Sequence, residues 1–128
     1  MVLYHVANPQ VETVYANYIR IRLNSGLLYP GVDYVVTRID EIIKGESAPE
    51  AVILDMYGIH YIDFTAIIEL VGVLKEMRAK MPTTEILITN VNLKVEDVLQ
   101  KTELNEFITS QGYVSSKFGD EVVQNAYS

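Results

Sequence analysis

The 128-residue chain is one domain's worth of sequence, 49% hydrophobic and 21% charged, with 17 Asp+Glu against 10 Lys+Arg. Its formal charge of −7 argues against a generic nucleic-acid binder, which needs a basic face to displace counterions, and its hydrophobic content excludes a disordered chain. The absence of cysteine excludes a disulfide scaffold, thiolate zinc sites, iron–sulfur clusters and a cysteine nucleophile.

Residues 1–16 are the least patterned and read as an N-terminal arm, edge strand or linker stub, with the folded domain spanning 17–128. Tyr18–Leu23 alternates, with Ile19, Ile21 and Leu23 on one side and Tyr18, Arg20 and Arg22 on the other, as expected of a half-buried strand. Arg20 and Arg22 read as a solvated edge paired with carboxylates, or as contacts for lipid phosphate or an acidic partner. Asn24-Ser25-Gly26 signals a turn, and Leu27–Tyr29 reads as a short second strand stopped by Pro30. Over Gly31–Lys44 the period changes. Val32, Val35, Val36, Ile39, Ile42 and Ile43 share one helical face, with Asp33 in the first turn and Gly45 past the end.

Ala51–Leu54 is a continuous apolar run ending at Asp55, the mark of a strand covered on both faces. Met56–Ile62 is a loop with apolar anchors. Asp63 is placed to cap a helix whose buried stripe is Ile67, Leu70, Val71, Leu74, Met77 and Met81, ended by Pro82. Ile68 and Val73 fall off that stripe, where exposed apolar residues can mark an interface. Glu85–Asn90 reads as another buried strand. Asn92 is placed to cap a short helix carrying Val95, Val98 and Leu99, and Leu104, Phe107 and Ile108 form a further turn. Gly112–Ser116 reads as a last strand, and Gly119-Asp120 opens a terminal helix. Strands alternating with helices imply parallel neighbours, and the opening strand–turn–strand unit adds an antiparallel component. The expected fold is α/β, a mixed sheet of four to five strands packed with about four to five helices.

Catalytic signals are sparse. His5 and His60 have no i+4 partner for a metal pair, no Gly-x-Ser-x-Gly elbow is present, and the glycines form no phosphate-binding loop. Asp55 and Asp63 fall where α/β sheets carry their sites, at the carboxyl ends of strands. Acid–base chemistry there would need a proton acceptor beside them. The structural reading is that Asp63 accepts backbone N–H groups of its helix and Asp55 those of the loop. No catalytic, metal or cofactor residue is assigned. The longest uncharged stretches, Met1–Val11, Leu23–Val32 and Phe107–Ser116, are each about half the roughly 20 residues of a membrane span, and Met1–Val11 lacks the basic start and cleavage pattern of a signal peptide. With no cysteine and no Asn-x-Ser/Thr acceptor, a cytosolic setting is expected.

Ala51-Val52-Ile53-Leu54-Asp55-Met56, then Tyr57-Gly58-Ile59, then Tyr61-Ile62-Asp63-Phe64-Thr65 and a helix with Leu70 and Leu74, resembles a STAS domain. That fold is shared by bacterial anti-sigma-factor antagonists and by the cytoplasmic C-terminal domain of SulP-type sulfate/anion transporters. Gly26–Tyr34 resembles the passage entering the first helix in the transporter branch, and Phe118–Val123 the start of the family's terminal helix. The likeness covers nearly the whole chain from Tyr18. Antagonists carry a phosphorylatable hydroxyl directly after the motif aspartate. Phe64 stands there in this chain, and Thr65 follows one residue later.

The resemblance implies a non-catalytic regulatory domain of a sulfate/anion transporter, cytoplasmic and without cofactor. Its partners would be the transporter's own membrane domain, a second protomer or cytosolic regulatory proteins. Asp55, Tyr57, Asp63, Phe64 and Thr65 are the candidate regulatory or interaction residues. The alternatives are a stand-alone antagonist-like signalling protein and a weak nucleotide-binding module.

Overall fold

Two apolar sets that alternate along each strand decide the architecture, because they give the sheet two faces to cover. The computed structural model describes residues 11–14, 17–23, 29–45 and 47–118, with side chains for 17–23, 33–45 and 47–118. Strands β2 (Tyr18–Arg22), β3 (Ala51–Asp55) and β4 (Glu85–Thr89) are parallel neighbours, and β1 (Val11–Val14) runs antiparallel on the far side of β2. The register pairs Ile19 with Val52 and Ile86, and Arg22 with Asp55 and Thr89. Helices α1 (Tyr29–Lys44), α2 (Phe64–Lys80), α3 (Leu93–Leu99) and α4 (Gln111–Phe118) and a 3-10 turn at Glu103–Phe107 complete the described elements.

One sheet face presents Ile19, Ile21, Val52, Leu54, Ile86 and Ile88 to Val35 and Ile39 of α1 and to Leu70, Leu74 and Met77 of α2. The opposite face carries a smaller cluster, Tyr18, Ala51, Ile53 and Leu87, covered by Val114 and Phe118 of α4. There the Tyr18 hydroxyl donates to the Phe118 carbonyl at 3.0 Å. The free edge of β4 is met by a parallel bridge between Ile88 and Ile108 and by Thr109 N–H donating to the Ile88 carbonyl at 2.8 Å, which blunts an otherwise open edge.

Several expectations change. Tyr18–Arg22 is buried on both faces, not half-buried, because α1 and α2 cover one face of the sheet while α4 and the Tyr57 ring cover the other. Arg20 and Arg22 are therefore interior residues and not a solvated edge. The antiparallel neighbour of β2 is β1, whereas Tyr29 opens α1, with Pro30 in the first turn where its missing N–H has no helical partner to lose. Residues 24–28 and the expected terminal helix from Gly119 lie outside the described residues.

Gly112–Ser116 is helical, not a strand. Ser110 Oγ accepts the Tyr113 N–H at 3.1 Å, an N-cap that starts α4, and only Val114 of that helix is buried. In α2 Val73 is buried and Ile68 exposed, since the helix also packs along α1, which widens the covered stripe. In α3 Val95 and Leu99 are buried and Val98 is exposed.

Candidate functional site

The carboxyl ends of β3 and β4 converge on a cluster of buried polar groups. The Asp55 carboxylate, 0% exposed, meets the Arg20 guanidinium from the neighbouring strand. Its other oxygen accepts the Tyr57 N–H at 2.9 Å and the Asn90 side-chain amide at 3.0 Å. One carboxylate thus joins three segments: β2, the loop after β3 and the loop after β4. Charge-assisted bonds of this kind are the strong ones, and losing one partner of a buried ion pair costs far more than the pair contributes against apolar replacements. Arg22, two residues along β2, lies under the Tyr57 ring at 4.5 Å from guanidinium carbon to centroid, an arrangement suited to a planar cation.

The loop at residues 56–62 is fixed from below. Met56 and Ile59 are fully buried, and Met56 N–H donates to the Thr89 carbonyl at 2.9 Å. Asn92 donates its side-chain amide to the Ile59 carbonyl at 2.9 Å while its oxygen accepts Val95 N–H at 2.9 Å, capping α3. Asn90 adopts φ 60°, a left-handed conformation that asparagine tolerates better than most residues. Two asparagines following β4 therefore hold the loop that follows β3.

Asp63 ends that loop as the N-cap of α2, its carboxylate accepting the Ala66 N–H at 2.7 Å. A cap of this kind stabilises a helix by about 1 kcal/mol.

The anchored segment turns its aromatic side chains outward. Tyr57, Tyr61 and Phe64 are exposed, Phe64 to 75%, and Leu93 at the start of α3 to 83%. Thr65 is exposed in the first turn of α2. His60 also faces solvent and lines a shallow depression with Asn92, Leu93 and Lys94. Among the described residues no group of three or more His, Asp or Glu is placed to hold a metal ion, and no helix is long and apolar enough to cross a membrane.

The five sequence candidates thus divide. Asp55, buried, and Asp63, half-buried, act as supports, while Tyr57, Phe64 and Thr65 are on the surface. The sequence reading missed the pairing of Arg20 with Asp55 and the supporting roles of Asn90 and Asn92. An Asn-x-Asn pair directly after a buried strand is the signal that was available. It also missed Tyr61 and Leu93, whose exposure depends on which side of a short segment packs down.

A mixed sheet of three parallel strands and one antiparallel strand, with helices on both faces and an anchored, aromatic-bearing loop at its carboxyl edge, defines an α/β domain. The STAS domain family profile matches residues 8–122, and the chain belongs to that family. Among solved structures it is similar to the unphosphorylated anti-sigma factor antagonist SpoIIAA, at 17% identity and TM-score 0.68, covering 87% of this chain and 97% of that one. It is similar to the murine Solute Carrier 26 family member A9 anion transporter at 16% identity and TM-score 0.60, covering 75% of this chain but 16% of the transporter. It is also similar to the STAS domain of a SulP transporter from Vibrio cholerae, at 16% identity and TM-score 0.57, covering 75% of each chain. At these identities the likeness is one of fold, shared by transporter domains and antagonists alike. No curated protein matches the chain.

Proposed function

We propose that the chain is a non-catalytic docking module on the cytoplasmic side of a SulP-type sulfate/anion transporter. The module would take in β1 (Val11–Val14) with residues 17–128, and the residues before β1 would include the stub that joins it to the membrane domain. Its partners are that membrane domain, a second protomer or cytosolic regulators, and the contact surface is the segment 56–65 with the start of α3. The observation that carries this reading is a loop pinned by Asp55, Asn90 and Asn92 that leaves Tyr57, Tyr61 and Phe64 in water. A fully exposed Phe side chain forgoes roughly 1.5–3 kcal/mol of burial, so Phe64 and two half-exposed tyrosines on one anchored segment support an interface there.

The test is co-expression with a SulP membrane domain from the same genome and co-purification in detergent. Phe64→Ser is expected to abolish co-purification without changing the unfolding midpoint, and Lys101→Ser, on a different surface, to leave it intact. Failure of the unaltered chain to co-purify, or equal behaviour of both variants, would contradict the proposal.

A second reading, a stand-alone antagonist-like signalling protein, is favoured by one feature, the exposed Thr65 hydroxyl in the first turn of α2. A phosphate there would sit at the positive end of a helix. Incubation with ATP and a partner kinase from the same genome, read by intact mass, decides it. Stoichiometric phosphate lost on Thr65→Ala would establish the second reading, and an unmodified chain would exclude it.

A further inference from the structure

Beyond the first turn of α2, α1 and α2 lie side by side and leave a groove of about 360 Å³ between them. Its lining includes Val36 and Asp40 from α1 and Ile68, Glu69, Gly72 and Glu76 from α2. Apolar Val36, Ile68 and Val73 line it beside polar Thr37, with Val73 buried, Val36 half-buried and Ile68 exposed. The rims are acidic, and no basic residue lines the groove. Asp40 and Glu76 hold only exposed partners one helical turn away, Lys44 at 2.8 Å and Lys80 at 3.0 Å, and Glu69 has no ion pair among the described residues. Exposed pairs of that kind exchange readily for others.

Gly72 gives an independent reason to expect a visitor. It sits inside the 17-residue helix α2, where glycine weakens a helix relative to alanine. A Cβ built there would meet nothing within 4 Å, so the chain's own packing does not require glycine. Its missing side chain leaves room for another backbone to come close. From Ile68 to Glu76 the groove runs for about 12 Å, two helical turns. A second copy is the wrong occupant, because it would bring a further charge of −7 to an acidic rim.

We infer that the α1–α2 groove docks a basic amphipathic helix of another protein. The apolar stripe of that helix lies over Val36 and Ile68, its backbone approaches Gly72, and its Lys or Arg side chains meet Asp40, Glu69 and Glu76. This is a helix-in-groove contact in which burial supplies affinity and the acidic rims select the charge of the partner. It begins one helical turn beyond Phe64 on the same helix, and because its test reads residues 36–40 and 68–76 it stands or falls separately from the transporter reading.

The test is titration of the ¹⁵N-labelled full chain with a capped synthetic Lys/Leu helix of about 18 residues carrying leucines at i, i+3, i+4 and i+7. The expected result is amide shift changes confined to residues 36–40 and 68–76. Gly72→Leu, which fills the groove with a strong helix former, should weaken binding at least tenfold while leaving the melting temperature unchanged or higher. Glu69→Gln should weaken binding several-fold, and Asp97→Asn, an acidic change on α3, should leave it unchanged. Parent-like binding by Gly72→Leu, or equal losses from Glu69→Gln and Asp97→Asn, would reduce the effect to diffuse attraction and overturn the inference. The same shifts appearing on concentration without peptide would overturn it in favour of a second copy.

Discussion

Asp55 is the residue on which the proposed contact surface rests. It touches no solvent, yet it fixes the backbone of Tyr57 directly and reaches Asn90 and Arg20 from opposite sides. Asp55→Ala would withdraw the carboxylate from a buried guanidinium and release both loop bonds. The expected cost is about 3–5 kcal/mol, the usual range for breaking a buried ion pair by removing one partner. Asp55→Asn, which keeps an acceptor for Tyr57 N–H, should cost less. Urea unfolding of the two variants checks this, and a loss below about 1 kcal/mol for Asp55→Ala would place the pair among the weak surface bridges. The sequence marks Asp55 as special because an apolar run ends on it. It does not reveal Arg20 as the partner, because alternation along Tyr18–Leu23 reads the same whether the polar side faces water or a covered face. Only what covers that face decides it, and its cover, α4 and the Tyr57 ring, leaves little periodic signal in the sequence.

Among the elements, α2 was the most legible. Asp63, the apolar stripe and Pro82 fix its start, face and end, and the structure places the helix at Phe64–Lys80. Its C-cap Met81 has left helical geometry, as a residue before proline does. The short α4 was the least legible. Its start depends on the Ser110 side chain, and with one buried residue it carries almost no periodic signal. Polar contacts fasten it instead. Lys117 Nζ donates to Glu85 at 2.6 Å and the Tyr113 hydroxyl donates to the same carboxylate at 2.7 Å.

These bonds, Lys117 first and Tyr113 second, hold the Glu85 carboxyl below its ordinary value of 4.5. A lowered folded-state value means the contribution is complete above the unfolded carboxyl's titration and is lost as pH falls through the lowered value. Glu85→Gln should therefore be less stable than the parent at neutral pH, with the gap closing as pH drops below about 4.5. Thermal melts of both chains between neutral pH and pH 3 check this. A gap that stays constant across that range would show that the carboxylate's charge plays no part in holding α4.

At the scale of the whole molecule, the sheet divides its labour. One face is a broad apolar core under α1 and α2, and the other is narrow and turns polar toward the carboxyl edge, where Arg20, Arg22, Asp55 and Thr89 are buried. That gradient lets the sheet back the loop at residues 56–62 with buried polar groups. The alternation of strands and helices was readable because it follows from hydrophobic period alone. The surface was readable only in part. Phe64 and Thr65 could be located from the aspartate that precedes them, whereas the exposure of Tyr61 and Leu93 depends on how Ile59 and Asn92 tie the loops down.

The central claim is that the segment 56–65 is a contact surface for a membrane transporter. It is tested most directly by installing the photo-crosslinking residue benzoylphenylalanine in place of Phe64, irradiating cells of the source organism and identifying the adduct by mass spectrometry. The account predicts an adduct to a SulP-type membrane domain, absent when the same probe replaces Lys101. No adduct at position 64 above that seen at position 101 would contradict it.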